Sequence, residues 1–198
     1  MENLMKNRFS CRNFSDEKID DEVINEILAL TMLSPSSLGL EPWKFVVVSK
    51  KDDLKNLGEI CFNQSQVSNC SHAVVVMART DLQSKDEFLK EVIYNKNQAD
   101  TADAFFERVA TRTDAMNKKE LFQYASLQCY LAVANLVNIA YEKDVKSCII
   151  GGFDSEKLDK FVGLGDDIKP CLVIALGKSD EAAPEKIRMS FDKTVMWK

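Results

Sequence analysis

Three residues near the start of the chain are spaced for chemistry. Arg8, Ser10 and Arg12 alternate with Phe9 and Cys11. In an extended segment, alternation puts two guanidinium groups and a hydroxyl on one side. That set suits the oxygens of a phosphate; the other reading is a solvated basic stretch. A second pair with the same alternation, Lys186 and Arg188, lies in an otherwise acidic tail. If the two clusters meet on one phosphate, each charge-assisted hydrogen bond contributes roughly 1.5–3 kcal/mol.

Two loops carry further candidates. Ser34–Trp43 holds two prolines, a glycine and three serines. It is a stiff turn with backbone groups free to bind, or an ordinary helix-to-strand connection. Gly151–Gly152, directly after the apolar Ile149–Ile150, permits a planar ligand to approach closely, or simply a tight turn capped by Asp154 or Ser155. The single histidine, His72, opens an apolar run and reads as structural. No Ser/His/Asp arrangement, no G-x-G-x-x-G and no P-loop is evident. Six cysteines occur without a C-x-x-C pair, so a zinc site is not expected. Cys129, Cys148 and Cys171 sit in apolar runs and read as small core residues.

These groups need a scaffold. A chain of 198 residues with 45% hydrophobic and 29% charged residues fits one packed domain over 1–198. Its net charge of −5 argues against nucleic acid as the main partner. Met1–Arg12 is polar and charged, without a recognisable signal peptide, and no apolar run is long enough for a membrane span. Cytoplasm and reduced thiols are the default.

Short apolar runs predict strands at Phe45–Val48, Ala73–Met77, Ser147–Ile150 and Cys171–Leu176. Helical spacing predicts helices over 1–8, from the Asp20 cap through Leu30, around Leu54–Cys61, over Asp81–Tyr94, over Asp100–Arg112 and over Lys119–Glu142, the last apolar nearly all round. Ser155 is expected to cap a short helix reaching Val162. From residue 179 the tail is polar until Val195–Trp197, an apolar end that needs something to pack on. Four strands among more numerous helices make an α+β layered domain.

In this order, the constellations resemble the FMN-dependent nitroreductase family from Arg8 to Arg188. Arg8–Phe14 is similar to its R-x-S-x-R/K-x-F opening, and Ser34–Trp43 to its S-P-S-S-x-x-x-x-P-W loop. Phe62–Asn63 with Ser71–His72 resembles its segment before the second strand. Gly151–Asp154 resembles its late glycine turn, and Lys186-x-Arg188 its C-terminal K-x-R. The stretch Ser147–Asp154 is similar to the metronidazole-activating, oxygen-insensitive members.

The resemblance implies a mostly antiparallel sheet flanked by helices, and a homodimer exchanging C-terminal arms (about 179–198). It implies FMN at the dimer interface, NAD(P)H as donor, and a small nitroaromatic or quinone acceptor. Arg8, Phe9, Ser10, Arg12, Lys186 and Arg188 would hold the phosphate side of FMN. Pro35, Ser36 and Ser37 would line it from the partner subunit, and Asn63, Gln66, Ile150, Gly151 and Gly152 would meet the ring. Leu38, Phe62 and Phe106 would border the acceptor. No catalytic side chain is needed beyond the flavin; the other reading is a flavin-binding sensor or carrier with little turnover. Three departures stand out: Gln66 where many members carry lysine, Gly151 where many carry glutamate, and Leu38–Glu41 in place of a more polar stretch.

Overall fold

A computed structural model describes residues 1–198, the side chain of Ala99 excepted. The elements run α1 (Glu2–Asn7), α2 (Asp21–Thr31), β1 (Trp43–Val48), α3 (Lys51–Ile60), α4 (Ser65–Ser68), β2 (His72–Arg79), α5 (Glu87–Tyr94), α6 (Ala99–Asp114), α7 (Lys118–Glu142), β3 (Lys146–Ile150), α8 (Ser155–Val162), β4 (Ile168–Gly177) and α9 (Phe191–Thr194). The strands form one sheet in the order β1-β2-β4-β3, with every neighbouring pair antiparallel.

The two central strands explain the layering. Val74, Val76 and Ala78 face one way, with Leu172, Ile174 and Leu176 of β4, into a core closed by α2 and α7. Ala73, Val75 and Met77 face the other way, with Val173 and Ala175, into a core closed by α3, α4 and α8. Strands covered on both faces read as unbroken apolar runs, as these do. Each fully buried valine or leucine contributes roughly 1.5–3 kcal/mol. A third cluster, Leu40, Leu89, Val92, Ile93 and Val109, packs the α5–α6 hairpin over the loop before β1.

The four expected strands are present and each is longer than its apolar run. The helix expected from Asp81 begins only at Glu87. Residues 81–86 are held as a turn by their own side chains: Asp81 pairs with Arg79, Asp86 Oδ2 accepts from Gln83 N at 2.8 Å, and Ser84 N donates to Asp114 Oδ1. Such side-chain bonds compete with the helix. The cap of α8 is Asp154, not Ser155; its carboxylate accepts from Lys157 N at 3.1 Å. The start of α7 is fixed by a capping box between Asn117 and Glu120. That helix is less enclosed than its composition suggests, because Leu127, Tyr130 and Leu131 are exposed. Cys129 and Cys148 are core residues, whereas Cys171 is half-buried. The tail is not polar up to Val195; it carries exposed Ile187, Met189 and Phe191, and the short α9.

Candidate functional site

After α1 the chain runs extended along the open edge of β3. Ser10 forms a parallel bridge with Ser147, and Cys11 N donates to Ser147 O at 3.0 Å. Cys11 is fully buried and Arg12 exposed, as alternation requires, while Arg8, Phe9 and Ser10 are all half-buried.

The segment leaving β4 then retraces this stretch in the opposite direction. Phe14 lies so close over Gly177 that a Cβ there would stand 2.5 Å from its ring. Ser15 N donates to Lys178 O at 2.9 Å, and the Arg12 amide and Cys11 thiol both donate to Glu181 Oε2 at 3.4 Å. Lys186 Nζ donates to Met5 O. The two basic clusters therefore converge. The Lys186 ammonium is held below the ordinary lysine value, first by partial desolvation and then by the guanidinium charges of Arg8 and Arg188.

Among the described residues, no carboxylate pairs with Arg8, Arg12, Lys186 or Arg188. Arg12 Nη1 reaches only Ser10 O, and Arg188 Nη1 only Ile187 O. Collected like charges repel one another, and an anion with several oxygens relieves them.

A second group forms where the α3–α4 loop meets the turn after β3. Phe62 and Asn63 both take left-handed backbone, each at φ 59°. For a bulky residue such as Phe62 this is strained, and strain of this kind gathers at functional sites. Gln64, which nothing in its sequence context singled out, holds the loop in place. Its Nε2 donates to Cys61 O at 2.9 Å and to Gly152 O at 3.0 Å.

Gln66 is buried, and its amide donates to Gln64 Oε1 at 2.9 Å. Ile150 turns its side chain into the core, so only its backbone faces this group. Gly151 and Gly152 are exposed. A Cβ at Gly151 would meet only Leu172, at 3.9 Å, and one at Gly152 would sit 3.7 Å from Gln64 and 3.8 Å from Phe62. Packing within the chain does not require either glycine, and the space before them is open to a ligand.

The third group, Pro35 to Leu38, lies at the other edge of the sheet. Trp43 and Gly151 follow from the same end of the sheet, but three strand spacings of about 4.8 Å separate their edges. The loop's bonds run elsewhere. Ser37 N donates to Gln128 of α7, Glu41 N to Ser36 Oγ, and Lys96 from the α5–α6 hairpin to Gly39 O and Glu41. Leu38 and Phe106 pack on the third core cluster together. The structure thus joins Arg8, Lys186 and Arg188 in one group, with Ser10 and Arg12 on the same extended stretch. Phe62, Asn63, Gln66, Gly151 and Gly152 form the second, and Leu38 and Phe106 belong to the third. Phe9 is half-buried between the arginines.

One constellation escaped the sequence reading, which found no Ser/His/Asp arrangement. Ser71 Oγ lies 3.0 Å from His72 Nδ1, and His72 Nε2 lies 2.9 Å from Asp21 Oδ1. Ser71 Oγ also accepts from Ile19 N at 2.8 Å. A carboxylate only accepts, so Nε2–H goes to Asp21, and in the neutral ring Nδ1 then accepts from the Ser71 hydroxyl. Ser71 and His72 are buried. No substrate reaches that hydroxyl, and the chain of bonds ties α2 to the start of β2.

Comparison with known proteins places this geometry. The profile of the Nitroreductase family matches residues 5–178. An oxygen-insensitive NADPH nitroreductase of Helicobacter acinonychis is 30% identical over 200 residues, covering 98% of this chain and 94% of its own. The structure of a nitroreductase family protein from Streptococcus pneumoniae superposes with a TM-score of 0.87 at 25% identity, covering 100% and 99% of the two chains. One from Exiguobacterium sibiricum, solved in complex with FMN, superposes at 0.86 with 23% identity, covering 100% and 96%.

Proposed function

The chain belongs to the nitroreductase family, and on that premise we propose that it is an FMN-dependent oxidoreductase that passes hydride from NAD(P)H to a nitroaromatic, quinone or similar acceptor. The observation that carries this reading is the convergence of Arg8, Lys186 and Arg188 without a partner carboxylate, with the exposed Arg12 on the same extended stretch. A phosphate dianion fits that set, with the Ser10 hydroxyl beside it. Asn63, Gln66 and the backbone of Ile150, Gly151 and Gly152 are the groups for the ring, and the open space before both glycines fits a flat ligand. Bound there, FMN supplies the uptake and release of hydride. The protein's own residues grip the phosphate, orient the ring and shield it from water. Phe62 borders the place where donor and acceptor take turns, a ping-pong sequence.

The working unit in this reading is a homodimer, with one flavin-binding domain per chain. Pro35, Ser36 and Ser37 of a second copy then complete the flavin site, and Leu38 and Phe106 the acceptor pocket. Exposed apolar side chains support it: Leu33, just after α2, is 79% exposed, and Leu127, Tyr130 and Leu131 of α7 lie open. A groove of about 650 Å³ between α1, α2 and α7 is lined by Leu4, Leu30, Leu33 and Ile139. Trp197, 87% exposed, ends an arm that gains apolar burial only against another chain. A cytoplasmic setting accords with six free cysteines and with the lack, among the described residues, of a helix long and apolar enough to cross a membrane.

The buried Gln66, with its amide committed to Gln64, favours a second reading: a flavoprotein with little turnover. Purified protein should be yellow, and NADH or NADPH should bleach it without oxygen. Steady-state oxidation of either nicotinamide with a quinone separates enzyme from carrier. Protein that stays colourless after saturation with FMN would sink both.

A further inference from the structure

The segment that carries Lys186 and Arg188 is held against the N-terminal stretch at its two ends. Gly177 and Lys178 pack on Phe14 and Ser15, and Lys186 reaches Met5. Between them stands Glu181. Its Oε2 accepts from the Arg12 amide and from the Cys11 thiol, each at 3.4 Å, while its own amide donates to Ser179 Oγ at 3.0 Å. By charge alone a carboxylate is out of place here, since it opposes any anion that the four cations attract. It also makes no ion pair with Arg12; both of its donors are a backbone amide and a thiol. The buried thiol lies on the face opposite the exposed Arg12 side chain, and the amide lies along the edge of the extended stretch. Glu181 thus leaves the guanidinium group of Arg12 free while it pins the main chain behind it. From Ala182 to Glu185 the chain is exposed, so Glu181 is the last fixed point before Lys186.

We propose that Glu181 is a positioning residue for phosphate binding: by clasping the Arg12 amide and the Cys11 thiol it sets Lys186 and Arg188 opposite Arg8. This rests on the reading that the cationic cluster takes the phosphate of FMN. Riboflavin, which has the ring but no phosphate, separates the two. Affinities of wild type, E181A and E181Q for FMN and for riboflavin are measured by quenching of flavin fluorescence, and alkylation of Cys11 by iodoacetamide is followed by mass spectrometry. E181A should bind FMN roughly ten-fold more weakly, the scale of losing bonds to a charged acceptor, with riboflavin affinity unchanged. E181Q keeps an accepting oxygen and should stay within about three-fold of wild type. Cys11 should be alkylated faster in E181A than in wild type or E181Q.

Unchanged FMN affinity in E181A, in a protein whose wild type prefers FMN to riboflavin, overturns the role of Glu181 alone. So does an equal loss for both flavins, or a loss in E181Q as large as in E181A. A wild type that binds FMN no better than riboflavin overturns the phosphate reading and this proposal with it.

Discussion

Two polar constellations in this molecule look alike on paper and differ in one respect. Ser71, His72 and Asp21 have the composition of a hydrolytic triad. Yet each hydrogen bond along the string from Ile19 N to Asp21 is made within the protein. Arg8, Lys186 and Arg188 look like a scattered set of surface cations. They nevertheless converge, and among the described residues they have no carboxylate partner. A closed set of bonds stabilises the fold. An open set of charges costs stability and is relieved by something the chain does not itself supply. Residue types alone would have ranked the two the wrong way round.

The contrast can be broken most directly by removing cations. The double variant R8A/R188A should lose about 3–6 kcal/mol of FMN binding, from two charge-assisted contacts, a fall of roughly 10²–10⁴-fold in affinity. Its urea midpoint should stay level or rise, because like-charge repulsion is relieved. The reverse pattern is expected of H72A. Loss of the ring leaves the Ser71 hydroxyl without its acceptor and should cost about 1–3 kcal/mol of folding stability by urea titration, with FMN affinity unchanged. A flavin defect in H72A, or a large loss of stability in R8A/R188A, would erase the distinction.

Smaller effects sharpen it. Gln66 spends its amide on Gln64 and brings no charge to the neighbourhood of Asn63. In Q66K, about 1–2 kcal/mol of added stabilisation for an anionic reduced flavin raises the two-electron potential by roughly 20–45 mV. The measurement is equilibrium titration against redox dyes, and an unchanged potential would place residue 66 out of electrostatic reach.

The smallest effect is on pH. Lys186 is held below the ordinary lysine range by desolvation and by Arg8 and Arg188, so it loses its proton earlier than a free lysine. An anion raises its pKa again. Binding therefore takes up protons in that window, and FMN affinity falls as pH rises through it. K186M should bind more weakly at neutral pH and lack this alkaline decline.

What could be read in advance follows the same division. The strands were legible because β2 and β4 are apolar on both faces. The phosphate-type clusters were legible because alternation in an extended segment is a local property. Gln64 was not, since its role depends on Gly152, 88 positions away. Glu181 was not, since an acid in an acidic tail carries no signal until its oxygen is found behind Arg12. The left-handed pair Phe62–Asn63 gives no local sign, because Phe is among the residues least suited to it. Asp81–Asp86 misled because its carboxylates serve a local turn, to Arg79 and Gln83, which Asp114 then ties down from α6. The loop Ser34–Trp43 was legible as a break between α2 and β1. It precedes β1, at the opposite edge of the sheet from Gly151 and Gly152, so sequence motifs alone did not show how far apart the two loops lie.

The retracing of the first stretch by the segment after β4 has a consequence for biosynthesis. The contact between Lys186 and Met5 spans 181 positions. At about 5–20 residues per second, a ribosome needs roughly 9–36 s to make the intervening chain. Throughout that interval Arg8 and Arg12 exist without Lys186 and Arg188, the other half of the proposed phosphate grip. Cofactor loading is thus expected as a closing event, after translation has passed residue 188, and stalled nascent chains that end just before Lys186 should retain no more FMN than riboflavin.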